Sequence, residues 1–312
     1  MKPARPSGLS RRGFLKAAAS SSALTLLSRS LRASASGPGR PKVTVGAHPW
    51  VYASTRPGFD ITPVLPQIFA DMSYAGVDGI ELMHTALRPD DAVERIADLS
   101  RRNALPVIGM SFDGAMWNRE MHPLIWADAT KVIPRLAQLG GRTLGTSTGP
   151  IRWGLKIPKS EEQLDAQADL LRRLIALCSS HGIVLNLHNH TYEVENGMHE
   201  LRGTLSRIPD VKLGPDLNWL VRAGVDPVTF IRTYGRQIVF MHLRDQAKDG
   251  RWVEAMGEGD TDYAAIGRAL HEIDFRGDAV IELAFERDFK PTRPIRESLK
   301  ISREYVRRTM GY

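Results

Sequence analysis

Eight short segments rich in β-branched and other apolar residues recur along the chain, and longer segments with apolar residues at helical spacing separate them. The predicted strands are the segments at 43–47, 78–83, 105–112, 142–147, 183–188, 211–216, 237–242 and 279–283. Helical spacing is clearest in the segments at 63–76, 90–103, 161–182 and 262–275. Glycines such as Gly76 and Gly182 stand where a helix should end before the next strand. This β-then-α repeat over eight units predicts a single (β/α)₈ TIM barrel.

A doubly wound open sheet is the alternative arrangement of the same repeat. That fold commonly carries a G-x-G-x-x-G fingerprint after its first strand, and this chain has none there. Residues 36–312 have the length of one large α/β barrel, and no linker divides them. We therefore expect one barrel domain over residues 36–312.

The first 35 residues have the composition of an export signal rather than of a folded domain. The pair Arg11 and Arg12 precedes an apolar run at 17–27, and A-S-A at 33–35 has the pattern of a cleavage site. We predict a twin-arginine signal peptide over residues 1–35, export by the twin-arginine machinery and a periplasmic location. The apolar run is shorter than the ~20 residues that span a bilayer, so we expect no membrane span in the mature chain.

The basic character of the chain comes from this predicted signal. The formal net charge is +7, and the signal holds seven cations and no acidic residue. Its cations are Lys2, Arg5, Arg11, Arg12, Lys16, Arg29 and Arg32. Removing them leaves the mature chain near neutrality, so the sequence pI of 9.6 does not indicate a nucleic-acid partner. The single cysteine, Cys178, excludes an internal disulfide and a Cys-rich metal site.

Side chains that carry chemistry follow the predicted strands. TIM barrels place their active sites at the carboxyl ends of the strands. The residues at those ends are His48, Glu81, His84, Ser111, Asp113, Thr146, His188, His190, Asp216, His242 and Glu282. They include five of the nine histidines in the chain. We expect these residues to line one shared mouth of the barrel.

Four of these residues form a candidate metal site. His188, Asp216, His242 and Glu282 end strands five to eight, one residue per strand. Neighbouring strands lie about 4.8 Å apart, so four consecutive ends can converge on one ion. A mixed nitrogen and oxygen set suits Mn²⁺, Co²⁺, Fe²⁺ or Zn²⁺. For any one of the four taken alone, a hydrogen-bonded residue at the rim is the alternative interpretation.

Five segments resemble the sugar phosphate isomerase/epimerase family of xylose isomerase-like TIM barrels. They are LNLHNHTYE, LGPDLNWLVRAGVDPVTFI, VFMHLRD, GEGDTDY and VIELAFE. The resemblance extends over the mature chain and implies a divalent metal at the ends of strands five to eight. Asp216, His242 and Glu282 match the positions of family ligands. His188 differs, because the epimerases of this family have a glutamate there, so their two-glutamate proton shuttle is not expected in the same form.

The resemblance implies catalysis by proton abstraction beside a carbonyl, with the metal stabilising the resulting enediolate. Candidates for the catalytic acid and base are Glu282, His190 and Glu193, with His84 as a further possible base. Substrate contacts are expected from His48, Glu81, His84, Arg244 and Glu258. For Glu81, a salt bridge within the rim is the alternative role. For Arg244, the alternative is a pair with the adjacent Asp245.

The leading hypothesis is a sugar isomerase or epimerase that uses Mn²⁺, Co²⁺ or Zn²⁺. No glycine nest or Lys/Arg cluster marks a phosphate pocket, so the expected substrate is an unphosphorylated keto-sugar. A keto-sugar lyase resembling inosose dehydratase is the first alternative, and a metal- and sugar-binding barrel without turnover is the second. An abasic-site endonuclease of the same superfamily is opposed by the neutral mature charge and the export signal. By analogy with such barrels, a homodimer is a candidate assembly.

Overall fold

The computed structural model describes residues 43–286 and 288–312. The predicted signal peptide at 1–35 and the predicted start of the domain at residue 36 lie outside the described residues.

Eight parallel strands form the centre of the described chain. They are β1 (Thr44–Ala47), β2 (Gly79–Met83), β3 (Val107–Asp113), β4 (Thr143–Ser147), β5 (Val184–Leu187), β6 (Lys212–Leu213), β7 (Phe240–Leu243) and β8 (Asp278–Ile281). Hydrogen-bonded neighbours follow the order β6-β5-β4-β3-β2-β1-β8-β7. The parallel bridges Leu213–Ile238 and Asp216–His242 join the two ends of this order. All eight predicted strands are confirmed, and so is the single (β/α)₈ TIM barrel.

Helices surround the strands and follow them in the chain. They are α1 (Trp50–Ala53), α2 (Leu65–Ala75), α3 (Ala92–Arg102), α4 (His122–Gln138), α5 (Glu161–Ser180), α6 (Thr191–Arg207), α7 (Leu217–Arg222), α8 (Pro227–Tyr234), α9 (Tyr263–Glu272) and α10 (Ile295–Met310). The four segments with the clearest helical spacing correspond to α2, α3, α5 and α9. Across the described residues, no helix combines the length and apolarity needed to cross a membrane.

Local sequence signals set where these helices begin and end. Ser160 starts α5 with a capping box, since its Oγ accepts from Gln163 N at 3.2 Å and Gln163 Oε1 accepts from Ser160 N at 2.9 Å. Gly76 ends α2 with a left-handed φ of 74°, a conformation that costs other residues about 1–2 kcal/mol. These signals direct the chain back toward the next strand.

A small apolar cluster lies inside the barrel beneath the carboxyl ends of the strands. Ile108, Phe240 and Val280 form this cluster and are almost completely buried. A Cβ on Gly79 would lie 2.4 Å from Ile108 Cγ2, so the strand needs glycine there to make room for the isoleucine. Side chains two residues apart on a strand share a face. The residues that follow Phe240 and Val280 on this inner face therefore point into the barrel just above the cluster.

Candidate active site

The barrel backbone fixes three of the predicted ligand residues at the ends of their strands. His188 N donates to Thr146 O at 2.9 Å, so strand pairing continues one residue past β5. His242 N donates to Pro215 O at 2.9 Å, and Glu282 N donates to Leu243 O at 2.9 Å. The backbone at each of these residues is therefore hydrogen-bonded to a neighbouring strand, and this fixes the position from which each side chain extends.

His188, Asp216 and His242 come together as a triad at this end of the barrel. Each offers one ligand atom, and these atoms all lie within 4.8 Å of one another. The Asp216 carboxylate is buried and caps α7, because its Oδ1 accepts from the backbone N of Asn218 and of Trp219, both at 3.0 Å. The second carboxylate oxygen, Oδ2, faces the guanidinium of Arg244.

The chemistry of the triad fits a divalent ion. Within the described structure, His188 Nδ1 is buried and has no hydrogen-bond partner. Burial, with a smaller contribution from the neighbouring histidines, lowers the pKa of His188 well below its ordinary value. The imidazole is therefore neutral and keeps a nitrogen lone pair, which is the form that binds metals. Two imidazoles and a carboxylate form the mixed donor set that Mn²⁺, Co²⁺ and Zn²⁺ accept.

Glu282, the fourth predicted ligand, lies against the triad and contacts two histidines. Its Oε2 is 3.0 Å from His242 Nδ1, and its Oε1 is 3.4 Å from His48 Nδ1. Burial opposes ionisation of Glu282, but the adjacent Arg244 and the two histidines outweigh it and hold its pKa well below the usual range. Glu282 is therefore a carboxylate at neutral pH.

Arg244 occupies the space between the two carboxylates of the site. Its Nη2 donates to Asp216 Oδ2 at 2.6 Å and also contacts Glu282 Oε2. The residue is 3% exposed. Sequence analysis left open whether Arg244 binds substrate or pairs with Asp245. Among the described contacts it pairs with Asp216 and Glu282 instead, and the Asp245 carboxylate accepts from the backbone N of Gly257 and Gly259.

Glu81 contacts the opposite nitrogen of His242. The distance from Glu81 Oε2 to His242 Nε2 is 2.6 Å, and both residues are buried. Burial disfavours the charged imidazole, but Glu81 and Glu282 together overcome it and raise the pKa of His242 to about 10. At neutral pH the ring is therefore protonated, and it has to release a proton before it can bind an ion. A carboxylate on the outer nitrogen of a histidine is the arrangement that orients metal-binding imidazoles. The expected contact of Glu81 with substrate stays a prediction.

His48 completes this side of the site. Its Nδ1 accepts from Trp50 N at 3.1 Å, and its Nε2 lies 2.9 Å from Ser111 Oγ. Burial lowers the pKa of His48. The neutral imidazole then carries its proton on Nε2 and donates it to Ser111.

His190 lies on the other side of the triad, where its ring centroid is 4.9 Å from that of His188. Burial lowers the pKa of His190 to about 4. Its Nδ1 is 3.2 Å from Tyr192 Oη, which is in turn 2.6 Å from Ser147 Oγ. The exposed ring of Trp153, 65% accessible, meets His190 edge-on at 5.3 Å. His190 is thus both beside the triad and open to the mouth.

Glu193 lies behind His190 rather than in the mouth. Its Oε2 accepts from His190 N at 2.6 Å, and its Oε1 accepts from Ser147 Oγ at 3.0 Å. Burial and the nearby Glu200 raise the pKa of Glu193 to about 8. The structure gives Glu193 a role in positioning His190, and direct catalysis by Glu193 stays a prediction.

A buried lysine that sequence analysis did not single out lies next to this glutamate. Lys159 is 3% exposed, and its Nζ is 2.5 Å from Glu200 Oε1 and 2.8 Å from Gln167 Oε1. Lys159 precedes α5 in a polar stretch, where nothing in the sequence distinguishes it from a surface lysine.

His84 and Glu258 belong to other networks. His84 Nδ1 is 3.7 Å from Asp113 Oδ1, and its Nε2 is 3.5 Å from Asp128 Oδ2. Glu258 accepts from Ala255 N at 3.1 Å and pairs with Arg293. Neither residue contacts the triad among the described contacts, and their proposed roles in substrate binding stay predictions.

Solved structures with the same fold include several sugar epimerases. A D-allulose 3-epimerase from Methylomonas sp. in complex with D-allulose is 18% identical, with a TM-score of 0.66 over 86% of this chain and 97% of that chain. An L-ribulose 3-epimerase is 19% identical, with a TM-score of 0.69 over 86% and 95%. A 3-keto-D-glucoside 4-epimerase from E. coli is 18% identical, with a TM-score of 0.66 over 84% and 99%.

At these identities the likeness establishes the fold. A search of curated proteins finds no significant match. The profile of one protein family, described as the xylose isomerase-like TIM barrel, matches residues 69–305. This match spans β2 to β8 and includes every member of the triad, and the chain therefore belongs to the xylose isomerase-like TIM barrel family.

Proposed function

We propose that the protein is a divalent-metal-dependent sugar isomerase or epimerase that moves a proton at the carbon beside a carbonyl. The observation that supports this most is the triad of His188, Asp216 and His242, with Glu282 on one side and His190 on the other. His188, Asp216 and His242 would hold the ion, with Glu282 as a fourth ligand. When bound, the ion would polarise the substrate carbonyl and stabilise negative charge on its oxygen.

The side chains around the triad supply the proton chemistry. Glu282 is ionised and can accept a proton. His190 is neutral and opens to the mouth, so it can exchange a proton on the other side of the substrate. His48 holds its proton on Nε2 in a hydrogen bond to Ser111, which suits positioning rather than transfer.

The arginine of the site supports an unphosphorylated substrate. Arg244 is already paired with Asp216 and Glu282, so its charge is balanced before substrate arrives. The solved structures of the same fold are named as enzymes of allulose, ribulose and a keto-glucoside. These names support a ketose or keto-glycoside as the substrate class.

A keto-sugar lyase is the second candidate, and the asymmetry of the site favours it. One carboxylate, Glu282, and one imidazole, His190, flank the triad, whereas a symmetric shuttle would need two equivalent bases. A single carboxylate suits β-elimination, in which Glu282 removes the proton beside the carbonyl and can return it to the departing hydroxyl or alkoxyl.

Hydrogen exchange tests both candidates. Protein stripped of metal and reloaded with Mn²⁺, Co²⁺ or Zn²⁺ is incubated in heavy water with ketoses and 3-keto-glucosides, and proton NMR follows the carbon-bound protons. We expect metal-dependent loss of the signal beside the carbonyl. A new sugar identifies an isomerase or epimerase, and a released alcohol or water with an unsaturated product identifies a lyase. Saturable sugar binding without any exchange contradicts both and identifies a binding protein.

We also propose that the chain is exported by the twin-arginine machinery and acts in the periplasm. The support is the order of the motif at Arg11 and Arg12, the apolar run and the cleavage pattern. Fractionation of cells that produce the full chain tests this. The wild type is expected in the periplasm, and a variant with both arginines replaced by lysine is expected in the cytoplasm. If the wild type and the lysine variant are distributed between periplasm and cytoplasm in the same proportion, the proposal is wrong.

A further inference from the structure

We propose that Arg244 is a built-in cation that competes with the divalent ion for Asp216 and Glu282, and thereby lowers the affinity of the site for metal. This inference rests on the metal site of the proposed function. It concerns the chain's own residue and predicts a change in metal binding that is measurable without any sugar.

The first step is that Arg244 contacts the one carboxylate oxygen of Asp216 that the backbone of α7 does not use. Asp216 Oδ1 is committed to the backbone N–H groups of Asn218 and Trp219 at the start of α7. The other oxygen, Oδ2, accepts from Arg244 Nη2 at 2.6 Å. An ion that binds Asp216 through Oδ2 must share this oxygen with the guanidinium or displace it.

The second step is that the same nitrogen holds the relevant oxygen of Glu282. Glu282 Oε2 faces His242 Nδ1 at 3.0 Å, and this oxygen is also the one that Arg244 Nη2 contacts. A single nitrogen thus bridges one oxygen of each carboxylate, at the centre of the predicted ligand set. An ion that used these oxygens of Asp216 and Glu282 would compete with the guanidinium for both.

The third step is electrostatic. An arginine side chain stays protonated in proteins, so Arg244 cannot make way for an ion by losing its charge. A guanidinium left beside a divalent cation in a buried site would repel it strongly, because the local dielectric constant is low. The guanidinium has to move, and breaking its two contacts subtracts from the free energy of metal binding.

The fourth step concerns the surroundings into which a displaced guanidinium would have to move. Arg244 Cζ already lies 4.9 Å from the ring centroid of Trp252 and 5.5 Å from that of Trp219. The faces of indole rings attract cations. Arg244 Nε is buried and without a hydrogen-bond partner in the described structure, so the group is not anchored at its base. The same two rings already carry Arg222, whose Cζ lies 3.6 Å from the centroid of Trp252 and 5.1 Å from that of Trp219. A guanidinium displaced toward the indoles therefore meets a second positive charge, which adds to the cost of displacing it.

The test compares Mn²⁺ affinity in the wild type and two glutamine variants by equilibrium dialysis. Arg244→Gln removes the competing charge. Arg142→Gln is the matched control, since Arg142 Nη2 donates at 2.8 Å to Asp278, a buried carboxylate at the start of β8 and thus at the opposite end of the barrel from the triad. We expect Arg244→Gln to bind Mn²⁺ at least about ten-fold more tightly than the wild type, and Arg142→Gln to match the wild type.

Thermal unfolding gives a second measurement. Without metal, Arg244→Gln leaves two buried carboxylates without their cation and should unfold at a lower temperature. Saturating Mn²⁺ should therefore raise its unfolding temperature by more than that of the wild type. If Arg244→Gln does not fold, Arg244→Lys replaces it, because a lysine keeps the charge but lacks the planar fork. Arg244→Lys should bind Mn²⁺ more tightly than the wild type does, but by a smaller factor than is expected for Arg244→Gln.

Two results would overturn the inference in distinguishable ways. If the wild type binds Mn²⁺ and the Arg244 variants bind it equally or more weakly, Arg244 does not compete and the proposed metal site stands alone. If neither the wild type nor the Arg244 variants bind Mn²⁺, the metal site of the proposed function fails and the inference fails with it.

Discussion

Replacing Glu193 with glutamine should make the stability of the protein less sensitive to pH. The carboxyl is 5% exposed, and burial with the nearby Glu200 raises its pKa from 4.5 to about 8. Between these two pH values the unfolded chain has lost this proton while the folded protein still binds it. The free energy of unfolding therefore falls as pH rises through this window, by about 1.4 kcal/mol per pH unit for one group.

The expected size follows from the width of the window. Between pH 4.5 and pH 8 the wild type should lose at most about 5 kcal/mol through Glu193, and coupling to Glu200 and Lys159 reduces this to a few kcal/mol. Glutamine does not titrate, so the free energy of unfolding of Glu193→Gln does not fall in this way as pH rises. At pH 5 the variant should be slightly less stable, by about 1 kcal/mol, because its amide cannot fully replace the carboxyl that accepts from His190 N.

Urea unfolding followed by circular dichroism at pH values from 5 to 8.5 measures this difference. The curves of stability against pH for the wild type and Glu193→Gln should cross, with the variant more stable at the alkaline end. Glu162→Gln, a change at an exposed position of α5, is the control and should run parallel to the wild type. If the free energies of unfolding of Glu193→Gln and the wild type differ by the same amount at all pH values, Glu193 is not a protonated carboxyl in the folded protein.

Three further predictions concern the mouth of the barrel. Asp216→Ala and His242→Ala should each abolish retention of bound metal, measured by elemental analysis after dialysis, and undiminished metal in both rejects the assignment. Glu81→Gln should weaken Mn²⁺ binding about 10- to 100-fold, because the outer nitrogen of His242 loses its carboxylate, and an unchanged dissociation constant contradicts this role. Trp153→Ala should raise KM for a ketose about ten-fold with little change in kcat, because an exposed indole beside His190 offers a stacking surface to a sugar ring. An unaltered KM would exclude that surface.

The fold was predictable because its signals are local. Each strand is a short apolar run, and residues such as Ser160 and Gly76 mark where helices begin and end. The placement of His188, Asp216 and His242 followed from one rule, that parallel strands of a barrel bring their carboxyl ends together. The prediction of this triad needed no information about contacts between residues that lie far apart in the sequence.

The partners of these residues were not predictable, because they depend on side chains far apart in the chain. Glu81 and His242 are separated by 161 positions, and no sequence pattern connects them. Strand alternation indicates that Arg244 shares a face with His242, but not that its guanidinium lies between two carboxylates. The burial of Lys159 depends on Glu200 from another helix, which no pattern in the sequence around Lys159 indicates.

The cap that Asp216 forms on α7 has a consequence for how the site meets its ion. Since two backbone amides hold one oxygen of Asp216 in place, the direction of the other oxygen is fixed by the main chain before any ion arrives. The carboxylate gives up little rotational freedom on binding, whereas a glutamate at the same position would have to immobilise one more rotating bond. The aspartate therefore acts as a rigid part of the scaffold, and an incoming ion has to fit the direction that its second oxygen already has.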